Sequence, residues 1–133
     1  MSIPIAISGT DLIGQARTGT GKTLAFGVSA LQRIVLPGDE GWTRSGSRLP
    51  QALVMCPTRE LALQVSRDID TAARVRGARV LTVYGGVGYD SQIDALQRGV
   101  DVVVGTPGRL LDLVGRRDLN LTSCSIVVLD EAD

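Results

Sequence analysis

Short apolar runs alternate along the chain with longer segments in which apolar residues recur at helical spacing. The apolar runs have the length of buried strands and cover residues 11–15, 52–56, 79–84, 100–104 and 125–129. Segments with helical periodicity lie between them, at residues 24–35, 58–76, 90–98 and 106–114. This alternation predicts an α/β fold with a mostly parallel sheet, right-handed crossovers and helices on both faces.

Local signals refine the predicted helices. In the first helix the apolar stripe, which we expect to face the core, consists of Leu24, Val28, Leu31 and Val35, widened by Phe26 and Ile34. Thr58 is a suitable N-cap for the second helix, and Thr106 can cap a helix whose first turn carries Pro107. Residues 37–50, with their glycines and charges, predict the one clear loop.

The composition is that of one globular domain, which we take to be residues 1–133. Hydrophobic residues make up 44% of the chain, and the 14 basic and 14 acidic residues cancel, so any nucleic-acid surface must be local. The chain has no His, and Cys56 and Cys124 lie far apart, which argues against a zinc site. We expect buried, reduced thiols and a cytoplasmic protein without a membrane span or signal peptide.

A phosphate-binding loop is predicted between the first strand and the first helix, where residues 16–23 read ARTGTGKT. Its glycines allow successive backbone N–H groups to point at one anion, and the following helix adds its positive end. Lys22 can reach the terminal phosphates, and the Thr23 hydroxyl can bind Mg²⁺. The general pattern has glycine at the position of Ala16, so a glycine- and threonine-rich surface turn is the alternative. The predicted nucleotide-binding residues are Ala16, Thr18, Gly19, Thr20, Gly21, Lys22 and Thr23.

An acidic segment follows the last predicted strand, where IVVLD continues into EAD. A buried strand that ends in a carboxylate is the usual complement of a phosphate loop. We therefore expect Asp130 to hold Mg²⁺ through a water, and Glu131 to orient and deprotonate the attacking water. The alternative is an acidic, solvated chain end.

Five segments with candidate chemistry each follow a predicted strand. Because ligands of a parallel sheet bind beyond the carboxyl ends of its strands, we expect all five to meet on one edge. The segments are residues 16–23, 57–60, 85–86, 106–109 and 130–133.

The segments ARTGTGKT, PTRELA, GG, TPGR and DEAD, in this order and approximate spacing, resemble the motifs of the DEAD-box ATP-dependent RNA helicases. The resemblance extends from about Ile3 to Asp133, and this family commonly has alanine at the position of Ala16. It implies a RecA-like P-loop NTPase domain, incomplete here, that uses ATP and Mg²⁺. The catalytic residues that it implies are Lys22, Asp130 and Glu131, with Thr23 and Asp130 at the metal.

The resemblance also implies contacts with the RNA backbone that are independent of base sequence. Arg59 would be the main phosphate contact of its segment, and the two glycines would let the backbone come close to RNA. A helix N-terminus with an arginine and a hydroxyl binds phosphate without reading bases, so binding should fall steeply with salt. Arg59 could instead pair with a carboxylate on its own helix. Thr106 and Pro107 could serve simply to start a helix, and the two glycines simply to form a turn. The implied RNA-binding residues are Pro57, Thr58, Arg59, Glu60, Gly85, Gly86, Thr106, Pro107, Gly108 and Arg109.

Members of the family also carry a glutamine motif before the phosphate loop, a Ser-Ala-Thr strand after DEAD, and a second RecA-like domain. This sequence shows none of these, so we expect a fragment with little or no ATPase activity by itself. In RecA-like folds the Ser-Ala-Thr strand lies between the phosphate-loop strand and the DEAD strand. Its absence predicts a gap in the sheet and unpaired strand edges.

Three functions are consistent with these features. The first is the ATP-binding part of an RNA helicase, whose two RecA-like domains would close around ATP and RNA and so separate RNA strands. The second, for the chain alone, is a nucleotide- or RNA-binding module without turnover. The third is a DNA-directed helicase core, against which PTRELA and TPGR argue.

Overall fold

The computed structural model describes residues 11–16, 20–39, 42 and 48–130, and for residues 11–16, 20–24, 26 and 130 it describes the backbone alone. Strands and helices alternate throughout this part of the chain, as predicted. The strands are β1 (Asp11–Ala16), β2 (Ala52–Met55), β3 (Val80–Val83), β4 (Val102–Gly105) and β5 (Ile126–Asp130). The helices are α1 (Thr20–Arg33), α2 (Arg59–Arg76), α3 (Asp90–Arg98) and α4 (Pro107–Gly115).

The strands form one sheet in the order β1-β5-β2-β4-β3. Every strand pair in the described part of the chain is parallel, which confirms the predicted sheet. Every residue of β2 and β4 is buried, as expected for strands covered on both faces.

The predicted gap between β1 and β5 is not found. The two strands pair directly, with a register shift between Leu12 and Gly14, and the pairing ends with Ala16 opposite Asp130. β5 therefore has a parallel neighbour on each side, and these neighbours satisfy its backbone hydrogen-bonding groups. The prediction of an interrupted sheet was wrong, because β1 occupies the position next to β5 at which the intervening strand was expected.

Two hydrophobic clusters lie on opposite faces of the sheet, because successive side chains of a strand point to opposite sides. α1 and α2 cover the face that contains Val54 and Val128. α3 and α4 cover the face that contains Leu53 and Val127. The prediction of helices on both faces is therefore confirmed.

The predicted stripe of the first helix is confirmed in part: Leu31 and Ile34 are buried, Val28 and Val35 are half-buried, and the side chains of Leu24 and Phe26 lie outside the described residues. α1 packs against α2, and a Cβ atom on Gly27 would lie 2.5 Å from the Ile69 Cδ1 atom. Small residues thus let the two helices approach closely, whereas hydrophobic periodicity alone favours larger side chains. The buried residues of this segment are Gly27, Ala30 and Leu31 in α1 and Ile34 directly after it.

The predicted helix starts at residues 58 and 106 are both found, but only one is capped by its side chain. The Thr58 hydroxyl accepts a hydrogen bond from the Leu61 N–H at 3.2 Å and so caps α2. Thr106 occupies the N-cap position of α4 and Pro107 begins the helix, but the Thr106 side chain makes no capping hydrogen bond. The α4 start therefore depends on Pro107 and on packing, and the Thr106 hydroxyl takes no part in helix bonding.

Ion pairs tie both ends of the predicted loop at residues 37–50 to the rest of the fold. Near its start, Arg76 pairs with Asp39 at 2.9 Å. Near its end, Arg48 pairs with Asp101 at 2.7 Å, and the hydrogen bond to this carboxylate is the main reason that the pKa of Arg48 is raised. Asp101 is fully buried and also accepts a hydrogen bond from the Arg79 N–H at 2.7 Å.

The two cysteines are buried, as predicted, and neither forms a disulfide. Burial raises the pKa of the Cys124 thiol to about 11, although a hydrogen bond with the Ile126 backbone acts in the opposite direction. This thiol is therefore protonated at neutral pH. In the described part of the chain, no helix has the length and apolar character needed to cross a membrane.

We predict that Gly105→Ala destabilises the protein by about 1–3 kcal/mol, the usual cost of overpacking. A Cβ atom at this position would lie 2.5 Å from Val83 Cγ2 and 2.9 Å from the Val83 carbonyl oxygen. Urea unfolding followed by circular dichroism measures the change. Gly115→Ala is the control, because a Cβ atom there meets nothing within 4 Å; equal stability of the two variants would contradict the prediction.

We predict that Arg48→Ala destabilises the protein by about 3 kcal/mol, because it leaves the buried Asp101 carboxylate without its counter-charge. Arg98→Ala is the matched control. Arg98 pairs with Asp94 on the surface, where the two side chains are 75% and 52% exposed, so its loss should cost less than about 0.5 kcal/mol. Similar urea midpoints for the two variants would contradict the prediction that the buried ion pair stabilises the protein more than the exposed one.

Candidate functional site

The carboxyl ends of the strands form one row along an edge of the sheet. Gln15 lies beside Leu129, Leu129 beside Met55, Met55 beside Gly105, and Gly105 beside Val83. Neighbouring strands are about 4.8 Å apart, so the row extends over about 19 Å. The described parts of all five candidate segments follow this row directly, which confirms that they lie on one edge.

The candidate nucleotide site lies at the β1–β5 end of this row. Ala16, the first residue of the predicted phosphate loop, is paired in register with Asp130, the first residue of the acidic segment. α1 begins at Thr20, so the backbone N–H groups of its first turn have no partner within the helix. That first turn also contains no acidic residue. A helix start of this kind, next to a strand that ends in a carboxylate, suits a phosphate group together with a cation.

Several predicted nucleotide-site groups lie outside the described residues. Thr18, Gly19 and Glu131 are among them, and for Gly21, Lys22, Thr23 and Asp130 only the backbone is described. Their roles with ATP and Mg²⁺ stay predictions. Among the side chains that are described, no group of three or more His, Cys, Asp or Glu could hold a metal ion.

Arg59 is exposed at the start of α2, together with Pro57, Thr58 and Glu60. Its guanidinium lies over the Tyr84 ring, 4.8 Å from the ring centroid. No carboxylate pairs with Arg59 in the part of the chain that the structure describes, so the alternative of an ion pair within α2 is not supported. Arg59 is therefore a cation available to an anion at the sheet edge.

The two glycines of the third segment are exposed and lie between β3 and α3. Gly86 has a φ of 84°, a left-handed conformation that favours glycine, so the turn itself explains this residue. A Cβ atom on Gly85 would meet nothing within 4 Å, which leaves open space on this side of the loop. Close approach of RNA stays a prediction for both.

The start of α4 presents Thr106, Pro107 and Gly108 at the same edge. Thr106 and Pro107 are half-buried and Gly108 is exposed. The first turn carries no acidic residue, and the Thr106 hydroxyl is not used for capping. A helix start with a hydroxyl and without acidic side chains is suited to phosphate binding.

Arg109, the last residue of the same segment, lies inside the fold. Its side chain is buried, and its guanidinium donates hydrogen bonds to the Gln92 Oε1 atom at 3.1 Å and to the Val87 carbonyl at 2.8 Å. The Tyr89 ring covers it, 4.1 Å from centroid to guanidinium carbon. A buried charge needs such partners, so this arginine holds the glycine loop, and its predicted contact with RNA stays a prediction.

Sequence reasoning missed the residues that organise this loop, namely Tyr84, Tyr89 and Gln92. The guanidiniums of Arg109 and Arg116 both lie over the Tyr89 ring. Its hydroxyl also bonds to the Asp112 carboxylate, which is the main reason that the pKa of Tyr89 is raised. The chain contains only two tyrosines, and both flank the glycine segment. The position of the two tyrosines could have indicated that they support this loop. Nothing in the apolar pattern indicates that Gln92 is buried.

Comparisons with known proteins agree with this arrangement. The family model for the DEAD/DEAH box helicase matches residues 1–133. The ATP-dependent RNA helicase RhlB of Yersinia pestis (strain Pestoides F) is 45% identical over 134 residues, covering 100% of this chain and 31% of the relative. RhlB of Yersinia pseudotuberculosis serotype O:1b (strain IP 31758) is likewise 45% identical, with the same 100% and 31% coverage. The chain thus spans about a third of the length of these curated relatives.

A solved structure supports the same conclusion. The crystal structure of a hypothetical ATP-dependent RNA helicase from Sulfolobus tokodaii matches with a TM-score of 0.68 and 37% sequence identity. The match covers 96% of this chain and 34% of that chain. The predicted RecA-like fold is therefore confirmed.

We predict that Arg109→Lys destabilises the protein by about 1–3 kcal/mol, because an ammonium group cannot serve Gln92 and the Val87 carbonyl in the same geometry. Arg116→Lys is the matched control, because Arg116 also lies over Tyr89 but is exposed. It should change stability by less than about 0.5 kcal/mol. Urea unfolding measures the difference, and faster amide exchange in the glycine loop should accompany it in Arg109→Lys alone. Equal effects of the two changes would contradict a holding role for Arg109.

Proposed function

We propose that this chain, which belongs to the DEAD/DEAH box helicase family, forms the ATP-binding part of an ATP-dependent RNA helicase. In a protein of the relatives' length, ATP binding and hydrolysis would be coupled to RNA strand separation, and a second RecA-like domain would close the other side of the site. The observation that carries this proposal is the pairing of Ala16 with Asp130, the first residues of the predicted phosphate loop and of the acidic segment.

At the nucleotide end of the row, each group has one task. The backbone N–H groups of residues 18–23 would bind the phosphates of ATP, and Lys22 would add a positive charge at the terminal phosphates. Thr23 and Asp130 would hold Mg²⁺, which supplies charge neutralisation at the transferred phosphoryl group. Glu131 would orient the attacking water and accept its proton. Little covalent chemistry is required of the protein, so the placement of these charges accounts for most of the catalysis.

At the other end of the row, the starts of α2 and α4 would bind the RNA backbone. Arg59 contributes a cation, Thr106 a hydroxyl, and both helices their positive ends. The glycine loop at β3 would let the nucleic acid come close to the main chain. None of these groups reads a base edge, so RNA binding should be independent of sequence and sensitive to salt.

A second candidate function applies to the 133-residue chain by itself. We propose that these 133 residues bind nucleotide and RNA without turnover, because they span only about a third of the length of the helicases that they resemble. A DNA-directed core is the third possibility, and comparing binding to RNA and DNA strands of equal sequence distinguishes it, because only RNA has the 2′-hydroxyl.

We further propose a cytoplasmic location, which the buried cysteine thiols and the absence of a disulfide support.

We predict that Lys22→Ala weakens Mg·ATP binding by about 10- to 100-fold, the effect of losing one charge-assisted hydrogen bond. Isothermal titration of the 133-residue chain with a non-hydrolysable ATP analogue and Mg²⁺ measures the affinity. Arg33→Ala is the control, because it removes the same charge from the opposite end of α1. Unchanged nucleotide affinity in Lys22→Ala would contradict the phosphate-loop assignment, and tighter binding to DNA than to RNA would favour the DNA-directed alternative.

A further inference from the structure

We propose that Tyr84 is a positioning residue that holds the Arg59 guanidinium where the nucleic-acid backbone passes. This inference rests on the proposed function, because it assumes that Arg59 contacts a phosphate. Its structural basis is the position of the Arg59 guanidinium over the Tyr84 ring, 4.8 Å from the ring centroid.

Arg59 needs such a support because nothing else in the described part of the chain fixes its side chain. It is the first residue of α2, it is exposed, and its guanidinium has no carboxylate partner there. A free arginine side chain samples many rotamers, and binding a phosphate would require all but a few of them to be given up. The Tyr84 ring selects a subset of these rotamers before the ligand arrives.

Stacking on the ring leaves the arginine able to bind. A cation–π contact uses the flat face of the guanidinium, whereas hydrogen bonds to phosphate oxygens use the N–H groups at its edge. The two interactions can therefore coexist in the complex. Tyr84 would guide Arg59 without competing with the phosphate.

The strand order locates this contact. Arg59 follows β2 and Tyr84 follows β3, and β4 lies between these two strands. The contact between Arg59 and Tyr84 therefore joins the segments that follow the two neighbours of β4, which lie about 10 Å apart. Thr106 follows β4 and so lies between these two segments in the strand order.

The position of Tyr84 is itself fixed by buried groups. The Gln92 Nε2 atom donates a hydrogen bond to the Tyr84 carbonyl at 3.3 Å, and its Oε1 atom accepts one from Arg109 at 3.1 Å. Gln92 is only 4% exposed. Contacts therefore run without interruption from Arg109 through Gln92 and Tyr84 to Arg59, and they join the two helix starts that would bind the RNA backbone.

The experiment measures RNA and nucleotide affinity in variants of the 133-residue chain. A labelled oligouridylate, followed by fluorescence anisotropy and by amide NMR shifts, is the RNA probe. We expect Tyr84→Leu to weaken RNA binding by about two- to tenfold, the cost of ordering one long side chain on binding. Affinity for the ATP analogue should not change. Tyr84→Phe is the matched control: it keeps the ring and should bind RNA like the wild type.

A double-mutant cycle separates positioning from a general structural effect. If Tyr84 acts through Arg59, then Tyr84→Leu should have no further effect on RNA affinity in the Arg59→Ala protein. An equal loss in both backgrounds would overturn the proposal, as would a loss in Tyr84→Phe as large as that in Tyr84→Leu.

A second measurement keeps the two proposals distinguishable. The Arg59 side-chain NMR signals should show a ring-current shift in the wild type and in Tyr84→Phe, and should lose it in Tyr84→Leu. A wild-type chain that shows this shift but binds no RNA would contradict the proposed function. A wild-type chain that binds RNA but lacks the shift would contradict the role of Tyr84 alone.

Discussion

The hydrogen-bonded register of the parallel sheet is the constraint on which the candidate site depends. A slip of one residue would reverse the faces of a strand, and the hydrophobic clusters on both sides prevent it. A slip of two residues would keep the faces but move the following segment by about 6.6 Å. The close packing of Gly105 against Val83 opposes that slip, because any larger residue there would collide with Val83. Hydrogen bonds from Cys56 to Gly105 and from Thr106 to Val83 continue the alignment past the strand ends.

The row of strand ends divides into two parts that share β2. On one side β2 pairs with β5, which carries the acidic segment, and on the other it pairs with β4, which leads into the α4 start. The charges at the helix starts are divided differently. α1 and α4 have no acidic residue in their first turns, whereas α2 has Glu60 and α3 has Asp90. At α2 the exposed Arg59 offsets this acidic neighbour, while α3, to which we assign no ligand, has no basic residue in its first turn.

Strand and helix order, the parallel sheet and the edge that carries the candidate segments were all predictable from the sequence. These features depend on local periodicity and on residues such as Pro107 and Thr58, which act within their own helices. The features that the sequence did not reveal depend on contacts between distant residues. The buried face of α1 depends on Ile69 of α2, and the role of Arg109 depends on Gln92 and Val87. The pairing of β1 with β5 also joins opposite ends of the chain, and no local pattern specifies it.

The two ion pairs at the ends of the 37–50 loop have a practical consequence for anyone who wishes to modify this protein. Asp39 is held by Arg76, and Arg48 is held by the buried Asp101, so the chain is anchored on both sides of residues 40–47. Lengthening a loop between fixed ends costs little free energy, because the closure term grows only with the logarithm of loop length. Neither anchor belongs to the row of strand ends. A fluorophore, an affinity tag or a short inserted peptide can therefore be attached between them while the opposite edge of the sheet keeps its geometry.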